Sequence, residues 1–288
     1  MERIQVALIG GDLRMKYLCE MLKKRGYLVR CYGVIEMEEN ESLSLEETLR
    51  NSKIVVTGIP FSDGSRLFSK IRKTDATVKH LYEAMHADQT LFGGCFSKKE
   101  NFLYQKKGIR CIDFMKDETL AIHNAIATAE GAIAEAMVRK KTNLHGSECL
   151  ILGYGRCGKV IANKLKGLNA KVTVCDKKEE AIAYAKAFGL AYVWTQELEQ
   201  KIYRYSYIFN TIPEDIIGRK LADRMRKDVL IFDIASKSNQ IETWAKERLG
   251  KNYFSCRGLP GKYAPIDSAK GLMDVIFRKG IEDGFKGN

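Results

Sequence analysis

One stretch of the chain limits its fold more than any other, and it runs from Cys149 to Asp176. An apolar run meets Gly153, Gly155 and Gly158 in the spacing G-x-G-x-x-G, and a segment with helical spacing follows. A second β-rich run, KVTVC, ends at Asp176. When a dinucleotide binds across a strand–turn–helix, three such glycines permit the tight turn, admit the pyrophosphate and let the helix pack closely.

The same stretch predicts a nicotinamide dinucleotide site, although glycine-rich turns also join strands to helices for purely geometric reasons. Asp176 stands at roughly the 20-residue spacing expected of a carboxylate that binds the adenosine ribose. Strand ends further along the chain add polar residues that would line the same edge of a parallel sheet. The predicted cofactor contacts are Gly153, Tyr154, Gly155, Arg156, Cys157, Gly158, Asp176, Lys177, Asn210, Thr211, Ile212, Pro213, Asp233 and Ala235.

The choice between NAD and NADP stays open at this point. A carboxylate such as that of Asp176 suits the ribose 2′-hydroxyl and repels a 2′-phosphate, which favours NAD. Lys177 and Lys178 follow directly and could offset that repulsion.

The order of the segments predicts an α/β fold with two Rossmann-like, doubly wound parallel-sheet domains joined by a long helix. This plan resembles the arrangement of formate and glycerate dehydrogenases. Residues 1–118 are predicted to form an N-terminal, substrate-side domain that a C-terminal helix, 266–288, completes. Residues 119–142 form the connecting helix, and residues 143–265 form the NAD(P)-binding domain. The predicted strands are Ile4–Ile9, Tyr27–Tyr32, Lys53–Ile59, Thr90–Phe92, Ile109–Phe114, Cys149–Leu152, Lys171–Cys175, Ala191–Val193, Tyr205–Asn210, Val229–Asp233 and Tyr253–Cys256.

Composition excludes several classes of protein. No apolar run approaches the roughly 20 residues of a membrane span, and the N-terminus has no signal or transit pattern, so we expect a cytoplasmic protein. The eight cysteines lack C-x-x-C and Cys/His ligand spacing, so neither disulfides nor a metal site are predicted. The net charge of +12 comes without a nucleic-acid-binding module or an aromatic basic stripe, so no nucleic-acid partner is expected.

Candidate substrate contacts come from strand ends and loops. Arg14 follows Gly10-Gly11-Asp12, where Asp12 is equally well explained as a helix N-cap. Gly58 and Pro60 end an apolar strand, and if the two sheets face each other they would line a cleft opposite Asn210–Pro213. Within a segment of small residues, Thr128 and Glu130 either face that cleft or only cap and kink the helix. The predicted substrate contacts are Arg14, Gly58, Pro60, Thr128, Lys237, Gly258 and Lys262.

Six segments together resemble one family, that of the A subunit of dipicolinate synthase, along nearly the whole chain. The two most specific are TAEGAI and the GLPG-x-x-AP block, and both occur in the expected order. The segments are Gly10–Arg14, Ala121–Ile133, Leu152–Gly158, Asn210–Pro213, Asp233–Ser236 and Gly258–Pro265.

The resemblance implies oxidation of a dihydrodipicolinate, derived from the cyclic dicarboxylate of the lysine pathway, with hydride passing to NADP. It also implies a partner, the dipicolinate synthase B subunit, and a place in the mother cell of a spore-forming bacterium. Two substrate carboxylates need cationic partners, which Arg14, Lys237 and Lys262 could supply. Forming the aromatic ring releases a proton, and His123 or Glu130 could accept it as the catalytic base.

The sequence is also compatible with two other functions. The protein could be another two-domain dehydrogenase of small carboxylates, or a non-catalytic protein that senses a dinucleotide. The 2-hydroxyacid dehydrogenases need a catalytic histidine late in the chain, but the four histidines here, the last being His145, all precede the glycine turn. The sensor would need the dinucleotide domain without a second set of ligand-facing turns. The sequence is also compatible with a homo-oligomer.

Overall fold

The computed structural model describes residues 4–37, 42, 44–235 and 247–281. The chain divides into two compact units. Unit 1 contains Met1–His123 and Ala264–Asn288, and unit 2 contains Asn124–Tyr263. Each unit is built on its own parallel sheet, as the sequence predicts.

The described residues contain eleven strands that enter these two sheets. In chain order they are β1 (Gln5–Ile9), β2 (Leu28–Tyr32), β3 (Ser52–Thr57), β4 (Thr90–Gly93), β5 (Arg110–Asp113), β6 (Glu148–Leu152), β7 (Lys171–Asp176), β8 (Ala191–Trp194), β9 (Tyr207–Asn210), β10 (Leu230–Asp233) and β11 (Tyr253–Ser255). Each overlaps a predicted strand, with ends that shift by a few residues.

The α-helices of the described residues lie between the strands. They are α1 (Leu13–Lys24), α2 (Leu45–Leu49), α3 (Val78–Ala84), α4 (Lys98–Lys106), α5 (Glu118–Arg139), α6 (Arg156–Gly167), α7 (Glu179–Ala187), α8 (Leu198–Lys201), α9 (Arg219–Asp223), α10 (Leu259–Tyr263) and α11 (Pro265–Ile276). None of them is long and apolar enough to span a bilayer.

The sheet of unit 1 has the strand order β2-β1-β3-β4-β5, and all its pairs are parallel. This order reverses between β1 and β3, the point outside which ligands bind in open α/β sheets. Helix α1 begins as predicted, because the Asp12 side chain accepts a hydrogen bond from the Arg14 backbone N–H. Gly26, just beyond the helix, adopts a φ of +85°, the left-handed conformation in which helices commonly end at a glycine.

Helix α11 completes the core of unit 1. Its apolar residues Leu272, Val275 and Ile276 are buried together with Leu18 and Leu22 of α1. A π-helical turn, Phe277–Ile281, follows α11 and brings basic side chains back to the start of α5. The predicted C-terminal helix 266–288 is therefore shorter as an α-helix, and residues 282–288 lie outside the described part of the chain.

The start of α5 is held by a carboxylate. The Asp117 side chain accepts a hydrogen bond from the Leu120 backbone N–H at 3.0 Å and forms ion pairs with Arg278 and Lys279 at 3.2 and 3.1 Å. Burial alone would raise the pKa of Asp117, but these partners outweigh it and lower the pKa to about 2. The helix ends at Arg139, three residues before the predicted end at residue 142.

The sheet of unit 2 has the strand order β11-β10-β9-β6-β7-β8, again with parallel pairs. Counted from the first strand of the unit, this is the order 3-2-1-4-5-6 of dinucleotide-binding sheets. The order reverses between β6 and β9, so their carboxyl ends, Leu152 and Asn210, flank the expected binding crevice.

Candidate functional site

A cavity of about 780 Å³ lies in unit 2 at the carboxyl ends of β6, β7, β9 and β10. Its position is the crevice that the reversal of strand order predicts. It is lined by Gly153, Gly155, Arg156, Cys157, Asp176, Lys177, Lys178, Thr195, Thr211, Ile212, Pro213, Glu214, Asp215, Ile216, Ile234 and Ala235.

The three glycines of the turn serve three different purposes. Gly153 has a φ of +87°, in the region that favours glycine, and its N–H donates to the Cys175 carbonyl at 2.9 Å. A Cβ on Gly158 would lie 2.0 Å from the Gly153 carbonyl oxygen, so α6 can pack on the turn only through a glycine. A Cβ on Gly155 would meet nothing within 4 Å and would project into open space.

The start of α6 is suited to an anion. Gly155 is its N-cap and offers no side-chain hydrogen bond, so the first backbone N–H groups keep no partner from that residue. The helix dipole makes this end positive, and Arg156 in the first turn also lines the cavity. Together with the open space at Gly155, these features fit the pyrophosphate of a dinucleotide.

Asp176 is fixed in place by the backbone. Its Oδ2 accepts a hydrogen bond from the Tyr154 N–H at 2.8 Å, and its Oδ1 accepts one from the Lys178 N–H at 3.0 Å. The carboxylate thus ties the glycine turn to the end of β7. Tyr154 itself is buried and contributes this backbone contact, while the cavity wall is formed by its neighbours.

Lys177 forms an ion pair across the cavity rim. Its Nζ lies 3.1 Å from Oε2 of Glu214, and both side chains are mostly exposed. Glu214 follows Pro213 directly and was not among the predicted contacts. Some of the lining residues were not predicted from the sequence, namely Glu214, Asp215, Ile216, Thr195 and Ile234. The first two could have been predicted, because they directly follow the NTIP segment at the end of a strand.

A buried polar network supports the NTIP loop from beneath. Asn210 donates from Nδ2 to Asp233 Oδ1 at 2.9 Å, and its own Oδ1 accepts the Ile212 N–H at 3.1 Å. Tyr253 donates its hydroxyl to Asp233 Oδ2 at 2.5 Å. Asn210 and Asp233, both predicted as cofactor contacts, are therefore placed behind the cavity wall, where they position the loop that lines it.

The wall itself contains residues predicted from the same strand ends. Thr211, Ile212, Pro213 and Ala235 all line the cavity. Thr211 is held by two bonds to the Leu152 carbonyl, one from its N–H and one from its hydroxyl, each 2.9 Å long. The loop after β9 is therefore tied to the strand that leads into the glycine turn.

Burial disfavours the reactive thiolate form of the cysteine in this wall, Cys157. Burial raises the pKa of the Cys157 thiol, and it raises the pKa of Cys175, at the end of the neighbouring strand, to about 11. Thiols of that kind stay protonated near neutral pH, and only the thiolate attacks. In the described ranges, no group of His, Cys, Asp or Glu is arranged to hold a metal ion.

Neither predicted base lines the cavity. His123 is the last residue of the first of the two segments that form unit 1, and it is exposed. Glu130 belongs to unit 2, where its carboxylate forms an ion pair of 2.8 Å with Lys164 on α6. Thr128, one of the predicted substrate contacts, is half-buried on the same helix.

The two segments richest in family-specific residues pack against each other within unit 2. Glu135 of α5 is buried and accepts hydrogen bonds of 2.5 Å from Lys262 Nζ and from the Tyr263 hydroxyl of α10. A Cβ on Gly131 would lie 2.8 Å from the Tyr263 ring, so the contact needs a glycine there. These contacts favour a structural role for Lys262, which was predicted to bind substrate. Gly258, with a φ of +68°, forms the turn that precedes α10.

The remaining predicted substrate contacts lie in unit 1. Arg14 is buried and holds Asp12 through two parallel bonds of 2.8 Å, and it also donates to the Ile59 carbonyl at 3.1 Å. A Cβ on Gly58 would lie 3.0 Å from Gly11 Cα, so the turns after β1 and β3 touch. Pro60, after the same strand, is exposed. These residues meet at the reversal point of this sheet, and Lys237 lies outside the described residues.

Comparison with known proteins gives separate family matches for two consecutive parts of the chain. Residues 5–115 match the family described as the N-terminal domain of the dipicolinate synthase A subunit. Residues 118–239 match the NAD-binding domain of D-isomer specific 2-hydroxyacid dehydrogenases. The second match supports a nicotinamide dinucleotide as cofactor and confirms the α/β fold class predicted from the sequence.

Similarity also extends over the whole chain. The dipicolinate synthase A subunit of Bacillus subtilis is 25% identical over 284 residues, which cover 95% of this chain and 94% of that protein. The crystal structure of its counterpart from Bacillus halodurans has a TM-score of 0.84 at 21% identity and covers 96% of this chain and 97% of its own. That from Bacillus subtilis has a TM-score of 0.82 at 22% identity, covering 99% and 98%. The predicted resemblance to the dipicolinate synthase A subunit is confirmed.

Proposed function

We propose that this protein is the A subunit of a dipicolinate synthase, which oxidises a dihydrodipicolinate to dipicolinate in the cytoplasm of a sporulating mother cell. The observation that carries the proposal is the glycine-lined cavity of unit 2 in a chain that resembles that protein over 95% of its length. The product ring carries two hydrogens fewer than the substrate, so one hydride and one proton must leave.

Unit 2 supplies the dinucleotide site in this proposal. The N–H groups at the start of α6 bind the pyrophosphate, and Asp176 receives the ribose hydroxyls. Thr211, Ile212 and Pro213 form the wall near the nicotinamide, and the buried network beneath the NTIP loop keeps that wall rigid. When bound, the dinucleotide accepts the hydride that the dihydropyridine ring gives up.

Unit 1 supplies substrate recognition at its own point of strand reversal. Arg14 is held there by Asp12 and the Ile59 carbonyl, so its guanidinium is oriented before a dicarboxylate arrives. An oriented guanidinium loses little side-chain entropy on binding a carboxylate. Gly58 and Pro60 shape the neighbouring turn.

The proton that leaves the ring goes to His123 in this proposal. The Glu130 carboxylate is committed to Lys164, whereas the His123 imidazole is exposed. Aromatisation provides much of the driving force, so holding the ring against the nicotinamide contributes more than a strong base does. We further propose that activity requires the B subunit, as the resemblance implies.

A spectrophotometric assay tests the proposal. The purified protein, with and without the B subunit, is supplied with the cyclic dicarboxylate made in situ by the lysine-pathway synthase, and with NAD or NADP. We expect the ultraviolet band of dipicolinate to grow together with the absorbance of the reduced cofactor. Arg14→Gln should raise the KM for the dicarboxylate without changing dinucleotide affinity, while Arg30→Gln, at an exposed pair with Glu47, should change neither.

Two other results would contradict the proposed function. Tight dinucleotide binding without turnover, even with the B subunit present, would make the protein a dinucleotide sensor. An Arg14→Gln enzyme with an unaltered KM would remove unit 1 from substrate recognition.

A further inference from the structure

We infer that the cavity of unit 2 selects NAD over NADP, and that Glu214 enforces the selection by holding Lys177. The inference rests on the proposed dinucleotide site and goes beyond it, because the fold alone is compatible with either cofactor. It also departs from the NADP that the resemblance implies.

Asp176 cannot move aside for a 2′-phosphate. Both of its oxygens accept backbone N–H groups, from Tyr154 at 2.8 Å and from Lys178 at 3.0 Å. Turning the carboxylate away would leave the N–H of the buried Tyr154 without its partner, which costs more than losing an exposed hydrogen bond would. Each oxygen retains a second lone pair that can receive a ribose hydroxyl.

The cation that could compensate for Asp176 is already engaged. Lys177 Nζ lies 3.1 Å from Glu214 Oε2 and 3.4 Å from its Oε1, so the carboxylate meets the ammonium group with both oxygens. Glu214 belongs to the loop after β9, and Lys177 follows β7, so the two residues come from strands on opposite sides of β6. The pair thus forms across the rim of the cavity that both residues line.

The charges near this rim are unfavourable for an additional anion. Without Arg156, the lining carries three negative charges, from Asp176, Glu214 and Asp215, against two positive charges from Lys177 and Lys178, a balance of −1; with Arg156 the lining is neutral. The remaining cation of the lining, at the start of α6, is assigned to the pyrophosphate. A 2′-phosphate would add about −1.5 to −2 charges at the rim. The 2′-hydroxyl of NAD is neutral and donates a hydrogen bond to the carboxylate.

The test is a measurement of cofactor affinity on the full-length protein without substrate, by calorimetry with NAD and NADP. We expect the wild type to bind NAD at least about tenfold more tightly, since a hydrogen bond to a charged group contributes that much. Glu214→Gln releases Lys177 and should strengthen NADP binding about two- to fivefold, the range of an exposed ion pair. The ratio of NADP affinity to NAD affinity should therefore rise. Glu180→Gln makes the same charge change on α7, outside the cavity lining, and should leave both affinities unaltered.

Adding Lys177→Ala to the Glu214→Gln protein tests whether the released lysine is the cause. The double variant should lose the gain in NADP affinity, so that the ratio of NADP to NAD affinity returns toward the wild-type value. A loss of folding would weaken both cofactors together, so the ratio of the two affinities reports selection alone.

Three results would overturn the inference. Equal or tighter binding of NADP by the wild type would show that the rim does not select NAD, while the dinucleotide site itself would stand. A Glu214→Gln protein with an unchanged NADP affinity would remove Glu214 from the selection. Failure to bind either cofactor would instead refute the proposed function on which the inference rests.

Discussion

Alanine at Gly158 should reduce stability and alanine at Gly155 should reduce NAD affinity, although both substitutions add one methyl group to the same turn. At Gly158 the new Cβ would lie 2.0 Å from the Gly153 carbonyl oxygen and 3.0 Å from its carbon. Both atoms belong to the backbone, so relief requires α6 to move away from the turn. At Gly155 the φ of −80° suits any residue, and the methyl group meets no atom within 4 Å.

The magnitudes follow from these two environments. Overpacking costs up to about 3 kcal/mol, and the higher helix propensity of alanine returns about 1 kcal/mol, so Gly158→Ala should lose about 2 kcal/mol. That corresponds to a Tm about 4–8 °C lower for a unit of this size. For Gly155→Ala the poorer N-cap and the less flexible unfolded chain nearly cancel, which leaves the Tm within about 2 °C of wild type.

Ligand binding should reverse the order of the two variants. The Gly155 methyl group occupies the space through which the pyrophosphate reaches the N–H groups of α6, so NAD affinity should fall about tenfold to a hundredfold. Circular dichroism melting curves and calorimetric titration with NAD measure the two properties. The reasoning would be refuted by a Gly158→Ala protein that melts with the wild type, or by a Gly155→Ala protein that binds NAD normally.

Further predictions concern two buried carboxylates, those of Asp117 and Glu135. Burial opposes ionisation of Asp117, but a backbone N–H at the start of α5 and the Arg278 side chain lower its pKa to about 2. The Asp117 carboxylate therefore stabilises the folded protein above pH 4, and this stabilisation is lost as the pH falls from about 4 to 2. Asp117→Asn should therefore cost about 1–2 kcal/mol in urea unfolding at pH 7, and a cost that persists unchanged at pH 2 would contradict this. Tyr263→Phe removes one hydrogen bond to the buried Glu135 and should cost about 1–2 kcal/mol in the same measurement. The exposed Tyr203→Phe serves as its control, and equal losses in the two proteins would exclude the Glu135 contact as the cause.

The sequence was sufficient to predict the parts of the structure that depend on neighbours in the chain. The glycine turn, the strand that precedes it and Asp176 at the end of β7 lie within one continuous stretch, and the structure has them where the spacing predicts. The Asp12 N-cap also depends only on the next two residues. Apolar runs of three to seven residues between helical patterns were enough to locate the strands.

The sequence was not sufficient where a contact depends on strand order or on side-chain conformation. Glu214 and Lys177 are 37 positions apart, and they meet only because β9 and β7 lie on either side of β6. Asn210 and Asp233 were expected in the cavity, but the register of β9 on β10 places them side by side behind its wall. The side-chain conformation in which Arg14 folds back onto Asp12 cannot be predicted from the pattern of residue types.

The order of the two units along the chain has a consequence for how the protein is made. Unit 2 is one continuous segment, Asn124–Tyr263, inserted between the two parts of unit 1. During synthesis the strands β1 to β5 emerge first, yet the apolar face of α1 stays uncovered until α11 has been translated. The dinucleotide-binding unit therefore has its complete sequence available before unit 1 does, and a nascent chain that stops after Tyr263 would expose Leu18 and Leu22 to other proteins in the cell.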